Sequence, residues 1–299
     1  MSETPNTAVP AGAATSLAAA RREIVRTVHY TLSYTVQSAE RGPRGAIVLL
    51  HDLPGGAFVW DEVTPALAAT GRAVYAFDML GYGQSDKPWP ADTSIWGHAD
   101  DLSYAFETLG LTDVLLVGFG VGGGVAQTLA TRLYRAGVAK LALVNSYAYQ
   151  TAFASDWPLP EMTKHQDLEA PLHYKSDQVM DELRQALPAG AARPLDQSRV
   201  DAYTSEWNST LGKNLLLQHV RALNPLYLNA VASDVTALDI PVLLVYGERD
   251  TVTPPALGQR IAREAKHATF RSVPGAGHLI LDDNPAQVAD LLARFATAS

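Results

Sequence analysis

The stretch "VLLVGFGVGGGVAQ", Val114 to Gln127, decides how the chain is read. An unbroken apolar run meets a cluster of glycines and then residues compatible with a helix, which predicts a buried strand turning sharply into a helix. That is the setting of the corner that presents a catalytic Ser in the pattern G-x-S-x-G. Here the five residues are Gly118, Phe119, Gly120, Val121 and Gly122, and the central position carries no nucleophile. Either a hydrolase lacks its attacking atom, or the corner serves different chemistry.

The same alternation extends in both directions. "GAIVLLHDL" and "RAVYAFDML" precede the corner, and "AKLALVNSY", "IPVLLVYGERD" and "ATFRSVPGAGH" follow it, each a run suited to a strand in a parallel sheet. Helical patterns lie between them, in "TSIWGHADDLSYAFETLG", "PPALGQRIAREAKH" and "NPAQVADLLARFATA". Residues 24–39 read as a strand pair at an antiparallel edge. The fold class expected is α/β, a doubly wound and mostly parallel sheet. From 147 to 238 the pattern breaks into Pro-interrupted, aromatic-bearing short helices, read as an inserted helical cap over the carboxyl ends of the strands. The organisation expected is a disordered tail at 1–23, a first part of the core at 24–146, the cap at 147–238 and a second part of the core at 239–299.

Composition narrows the function classes. Hydrophobic residues make up 47% and charged residues 18% of the 299, as in a globular domain with a sizeable core. A net charge of -8 argues against nucleic acid or an anionic membrane as partner. With no Cys, thiolate nucleophiles and Cys-held metals are excluded. The Ala-rich start carries "RR" after its apolar part, the reverse of a secretory signal, so a cytoplasmic location is expected. The partner expected is a small-molecule substrate, with the protein a monomer or homodimer. The glycines at 118–124 could suggest a dinucleotide fingerprint, but no acidic residue ends the next strand, where Asn145 stands. No cofactor and no metal are expected.

Five ordered motifs then carry a family resemblance: "HDLPGG", "DMLGYGQSDKP", the Gly118–Gly122 corner, "YGERDTVTPP" and "GAGHLILDDNP". From about residue 24 onwards the chain resembles the α/β-hydrolase superfamily, in the capped branch of esterases, carbon–carbon bond hydrolases, epoxide hydrolases and haloalkane dehalogenases. The resemblance implies the α/β-hydrolase fold. It also assigns Gly120 to the vacant nucleophile position, Asp250 to the acid and His278 to the base, in the order the family uses. The oxyanion hole it implies uses the backbone N–H groups of Leu53 and Val121, which no side-chain change removes. His51 is read as a loop brace. Where the family usually has Gly, this chain has Asp52. A carboxylate facing a developing oxyanion would repel it, so Asp52 is expected to point away, at the margin of the substrate site. Phe119 and the cap aromatics Trp157, Tyr174, Tyr203, Trp207 and Tyr227 are candidates to line an apolar pocket, some of them packing the cap instead.

A corner without Ser cannot form an acyl-enzyme. An Asp250–His278 base beside two N–H donors would instead suit abstraction of a proton from carbon or phenol: cofactor-free, non-covalent lyase, cyclisation, carbon–carbon bond-forming or isomerase chemistry on an apolar, aromatic or polyketide-like molecule. Two other readings stay open. One is a hydrolase of esters or related carbonyl compounds, activating water directly or carrying Gly in place of an original Ser. The other is a non-catalytic ligand-binding protein.

Overall fold

The computed structural model describes residues 19–38, 45–149 and 176–298. Among the described residues eight strands form one sheet: β1 (Arg21–Arg26), β2 (Thr31–Gln37), β3 (Ala46–Leu50), β4 (Ala73–Phe77), β5 (Val114–Phe119), β6 (Val138–Val144), β7 (Val242–Gly247) and β8 (Ala268–Val273). Their spatial order is β1-β2-β4-β3-β5-β6-β7-β8. β1 and β2 pair antiparallel at the edge, β2 meets β4 antiparallel, and every other pairing is parallel. β1 begins at Arg21, so residues 21–23, expected in the tail, already pair with β2.

The apolar runs become central strands because both of their faces are covered. Every residue of β3, β5 and β7 is buried. Each Leu or Val so enclosed is worth roughly 1.5–3 kcal/mol relative to exposure. Helices α1 (Thr64–Ala68), α2 (Ile95–Thr108) and α3 (Val121–Thr128) connect the first strands. α2 starts at Ser94, whose side chain accepts from Gly97 N–H and satisfies one orphan donor of the first turn. Between β6 and β7 come the inserted helices α4 (Ser176–Gly190), α5 (Gln197–Thr204), α6 (Thr210–Ala222) and α7 (Pro225–Thr236). After β7 follow α8 (Pro255–Glu264), α9 (Ile280–Asp283) and α10 (Pro285–Thr297). α10 buries Val288, Ala289, Leu292 and Ala296, the stripe its sequence predicts. Among the described residues no helix is long and apolar enough to cross a membrane.

The strand order has one consequence for function. The loops leaving the carboxyl ends of β3, β5, β7 and β8 open on the same side of the sheet, where folds of this type place their ligands. Contact between the first two loops depends on missing side chains. Gly122 N–H donates to His51 O at 3.1 Å. A Cβ at Gly122 would lie 2.5 Å from the carbonyl oxygens of both His51 and Leu50, main-chain atoms at and just beyond the end of β3. Gly122→Ala is therefore expected to destabilise the protein by at least about 1–3 kcal/mol, measured as a loss in denaturant unfolding free energy. An unchanged midpoint would show that the β3 and β5 loops are not held this closely.

Candidate active site

At the corner, Gly120 has φ 53° and ψ -116°, a left-handed conformation that Gly adopts without strain. The position expected to be vacant is filled from the neighbouring loop. A Cβ built on Gly120 would fall 1.9 Å from Cγ of Asp52, so the Asp52 carboxylate occupies the space a side chain at the corner would need. Asp52 is buried. The expectation that it points away is overturned.

Its two oxygens have separate partners. Oδ1 accepts from Leu53 N–H at 2.8 Å and from Val121 N–H at 2.7 Å. These are the two donors expected to form an oxyanion hole, and they bind the protein's own carboxylate. Repulsion between a carboxylate and a substrate oxyanion was the ground for placing Asp52 elsewhere. It does not apply, because the carboxylate is the anion the hole holds. Oδ2 lies 3.0 Å from His278 Nε2.

On its other side, His278 Nδ1 lies 2.9 Å from Asp250 Oδ2. Asp250 is fixed in turn: its Oδ1 accepts from Val252 N–H and Thr253 N–H, and its Oδ2 from the Thr253 hydroxyl at 2.5 Å. The imidazole is thus buried between two carboxylates. A neutral imidazole has one N–H, and a carboxylate only accepts. Both contacts are satisfied together when His278 is the imidazolium, donating from each nitrogen. Burial alone drives the ring towards neutrality; the charges and hydrogen bonds of Asp250 and Asp52 outweigh it and push His278 up to about 10. The balance is reasonable in size. One opposite charge at about 4 Å contributes about 4 kcal/mol at an effective dielectric near 20, and here there are two.

His51 braces this arrangement, as its loop position suggests. Met79 N–H donates to its Nε2 at 3.1 Å, so Nδ1 carries the proton and donates to Asp52 O at 2.9 Å. Burial lowers its pKa and keeps it neutral. The sequence reading missed Asn145 as a support. Its amide donates to Gly277 O and His278 O while its oxygen accepts from Gly247 N–H, tying β6 to β7 and to the histidine loop. It also missed Asp283, which accepts from Gly277, Ala192 and Arg193 N–H and joins that loop to the end of α4. The polar residue closing β6 in "LALVNSY" and the paired acids in "LILDDNP" were the available signals.

Phe119 packs its ring 5.6 Å from that of His278. The inserted helices reach the site through their aromatics. Tyr203, fully buried, donates to Asp282 Oδ2 at 2.7 Å. Trp207, also buried, donates to Pro54 O at 3.2 Å, in the Asp52 loop. The Tyr227 hydroxyl pairs with Thr128 of α3 at 3.1 Å. These three bolt the insertion to the core. Trp157 and Tyr174 lie outside the described residues. A cavity of about 180 Å³, bounded by residues 189–192, Arg249, Thr251, Gly277 and His278, lies at the histidine loop and has room for a few waters. Among the described residues no group of His, Asp and Glu is disposed to hold a metal.

Comparison with known proteins agrees with this architecture. The family model described as "alpha/beta hydrolase fold" matches residues 45–285. The AB hydrolase superfamily protein YisY of Bacillus subtilis is 24% identical over 261 residues, covering 84% of this chain and 91% of its own length. A haloalkane dehalogenase of Mesorhizobium japonicum is 25% identical over 289 residues, covering 93% and 91%. The crystal structure of an alpha/beta hydrolase fold protein from Burkholderia ambifaria superposes with TM-score 0.78 at 22% identity, covering 91% of this chain and 99% of that one, a likeness of fold.

The charge on His278 has a consequence for stability. Its folded pKa of about 10 exceeds the unfolded value of 6.5, so the stabilisation is fully present below pH 6.5 and is lost as pH rises through 10. Unfolding free energy measured by denaturant should fall across that window in the wild type. It should fall less in His278→Gln, which keeps the shape without the proton. Identical slopes in the two proteins would refute the doubly paired imidazolium.

Proposed function

We propose, from the premise that the chain belongs to the α/β-hydrolase fold family, that it is an enzyme whose attacking group is the Asp52 carboxylate. The observation that carries this reading is the division of labour on that carboxylate: Oδ1 on the two backbone donors, Oδ2 on His278, in the space Gly120 leaves open. A carboxylate is a weak nucleophile towards carbonyl carbon, and here its own oxygen fills the hole an acyl oxyanion would need. It is suited to displacement at a saturated carbon bearing a leaving group. The substrate is a small molecule of that kind.

The chemistry then runs in two halves. Oδ2 forms a bond to the substrate carbon as the leaving group departs with its electron pair, giving an ester on Asp52. The Nε2 proton goes with the departing group, and the freed Nε2 then deprotonates a water that attacks Cγ of that ester. Charge develops on Oδ1, where the Leu53 and Val121 N–H groups already converge, so the hole stabilises the tetrahedral intermediate without rearrangement. Collapse breaks the Cγ–Oδ2 bond and releases the alcohol, which takes its proton from His278. The acid left behind returns its proton to His278. Asp250 holds the ring in place throughout. The name of the Mesorhizobium relative, a haloalkane dehalogenase, is consistent with attack on a saturated carbon.

A second reading keeps the chemistry non-covalent: Asp52 and His278 exchange protons with the substrate, in an elimination, cyclisation or isomerisation, and no ester forms. The absence of any side chain at Gly120 favours it as far as the corner itself is concerned. Single turnover of styrene oxide in heavy-oxygen water separates the two. Covalent attack leaves one heavy oxygen in the peptide containing Asp52 and none in the first product released. Heavy oxygen in the product alone would contradict the ester, and a product without added water, with Asp52 unlabelled, would select the non-covalent reading.

A further inference from the structure

We infer that the inserted helices are latched to the core by two uncharged, buried histidines, His98 of α2 and His219 of α6, and that acid opens this latch by charging the pair. The inference goes beyond the proposed reaction and does not depend on it.

The two rings stack across the seam between core and insertion, with centroids 5.7 Å apart and planes 24° from parallel. Both are buried. Tyr82, in the loop after β4, stacks on His219 at 4.1 Å, and its ring also meets His51 at 4.7 Å and Trp207 at 5.5 Å. Gly81 makes room for this stack, since a Cβ there would lie 2.6 Å from His219 Nε2. Trp207 ties the stack to the Asp52 loop through Pro54 O. The polar atoms along the seam are poorly matched. Among the described residues, His98 Nδ1, both nitrogens of His219, Thr93 Oγ1 and Gln218 Nε2 are buried without a hydrogen-bond partner. Thr93 directly precedes the cap of α2, and Gln218 neighbours His219 on α6. The other end of the Gln218 amide accepts from Ala91 N–H at 3.0 Å, so α6 meets the segment leading into α2.

A proton added to this pair has nothing to hold it. His278 keeps its charge because a carboxylate meets each nitrogen, whereas the buried nitrogens of the seam have no such partner among the described residues. Burial pushes His98 down to about 3 and His219 well below its ordinary value. His51 pushes both the same way, as do His98 and Lys87 for His219; Asp92 for His98 and the Gly81 backbone for His219 offset this only in part. Glu206, beside Trp207, is engaged elsewhere, with Gly83 N–H at 2.9 Å and Lys87 at 3.7 Å, and burial pushes it up to about 7. Exposed to water, each ring would titrate near 6.5. Below that pH an open seam therefore binds up to two protons that the docked seam refuses, which favours opening about tenfold per pH unit for each ring. Glu206 acts in the opposite sense. Between 4.5 and about 7 it holds a proton when docked and releases it when exposed, cancelling one ring. The chain as it stands gains one net proton on opening.

Hydrogen exchange of the full chain, read by mass spectrometry and corrected for the intrinsic effect of pH, tests the latch. Between about pH 6 and pH 5, protection of α6 peptides should fall about tenfold in the wild type. Glu206→Gln removes the opposing proton, and the fall should grow to roughly 50–100-fold. His98→Gln combined with His219→Gln leaves Glu206 alone, so protection in α6 should rise several-fold instead. Peptides of β5 should keep their protection in every case. Wild-type α6 protection that does not fall, a double variant that falls as steeply as the wild type, or an equal fall in β5 overturns the inference. Nitrogen-15 NMR of the histidine-labelled wild type decides the matter should the double variant fail to fold. Both rings should be neutral at about pH 6 wherever α6 is protected. A ring of the pair that charges near 6.5 with α6 still protected overturns the inference equally.

Discussion

The site depends on one charged array: the Asp52 carboxylate, the His278 imidazolium and the Asp250 carboxylate in line, with contacts of 3.0 and 2.9 Å. All three side chains are buried, so each would be costly alone. Asp52 is tolerated because two backbone N–H groups and an imidazolium satisfy it, and Asp250 because two N–H groups, a hydroxyl and the same imidazolium do. Removing any member strands the charge of another. The supports from His51, Asn145 and Asp283 follow from this constraint, since each fixes a loop carrying one of the three.

The two backbone donors beside the corner are present in this chain, and the side chain they hold comes from residue 52. Backbone donors are set by the approach of the β3 and β5 loops, and glycine at 122 permits that approach. They do not discriminate between an anion supplied by the corner residue and one supplied by residue 52. Glycine at 120 is then a requirement of the arrangement, because any Cβ there would displace the Asp52 carboxylate.

Much of the fold was legible in the sequence. Runs such as Val114–Phe119 and Val242–Gly247 bury both faces and read as parallel strands by composition alone. The meeting of Asp250 with His278 was legible because each stands in the loop after a strand within a recognisable motif. The direction of Asp52 was not legible. The sequence places it beside the hole, but whether its carboxylate enters depends on the space at Gly120, two strands' worth of chain away in sequence and adjacent only after folding. Reasoning from repulsion alone gave the wrong sign, since it treated the hole as belonging to a substrate. The roles of Tyr203, Trp207 and Tyr227 were similarly open, for an aromatic in an inserted helix serves a pocket or a seam according to what it meets. Here they meet Asp282, Pro54 and Thr128.

The central claim is that a carboxylate at residue 52 does the work a nucleophile at residue 120 would do, and exchanging the two positions tests it most directly. Asp52→Gly alone should abolish turnover of styrene oxide, and Asp52→Gly combined with Gly120→Asp should restore a measurable fraction of it, with His278 and Asp250 unchanged. A single Asp52→Gly variant as active as the wild type, or a folded double variant no better than the single one, would contradict the account.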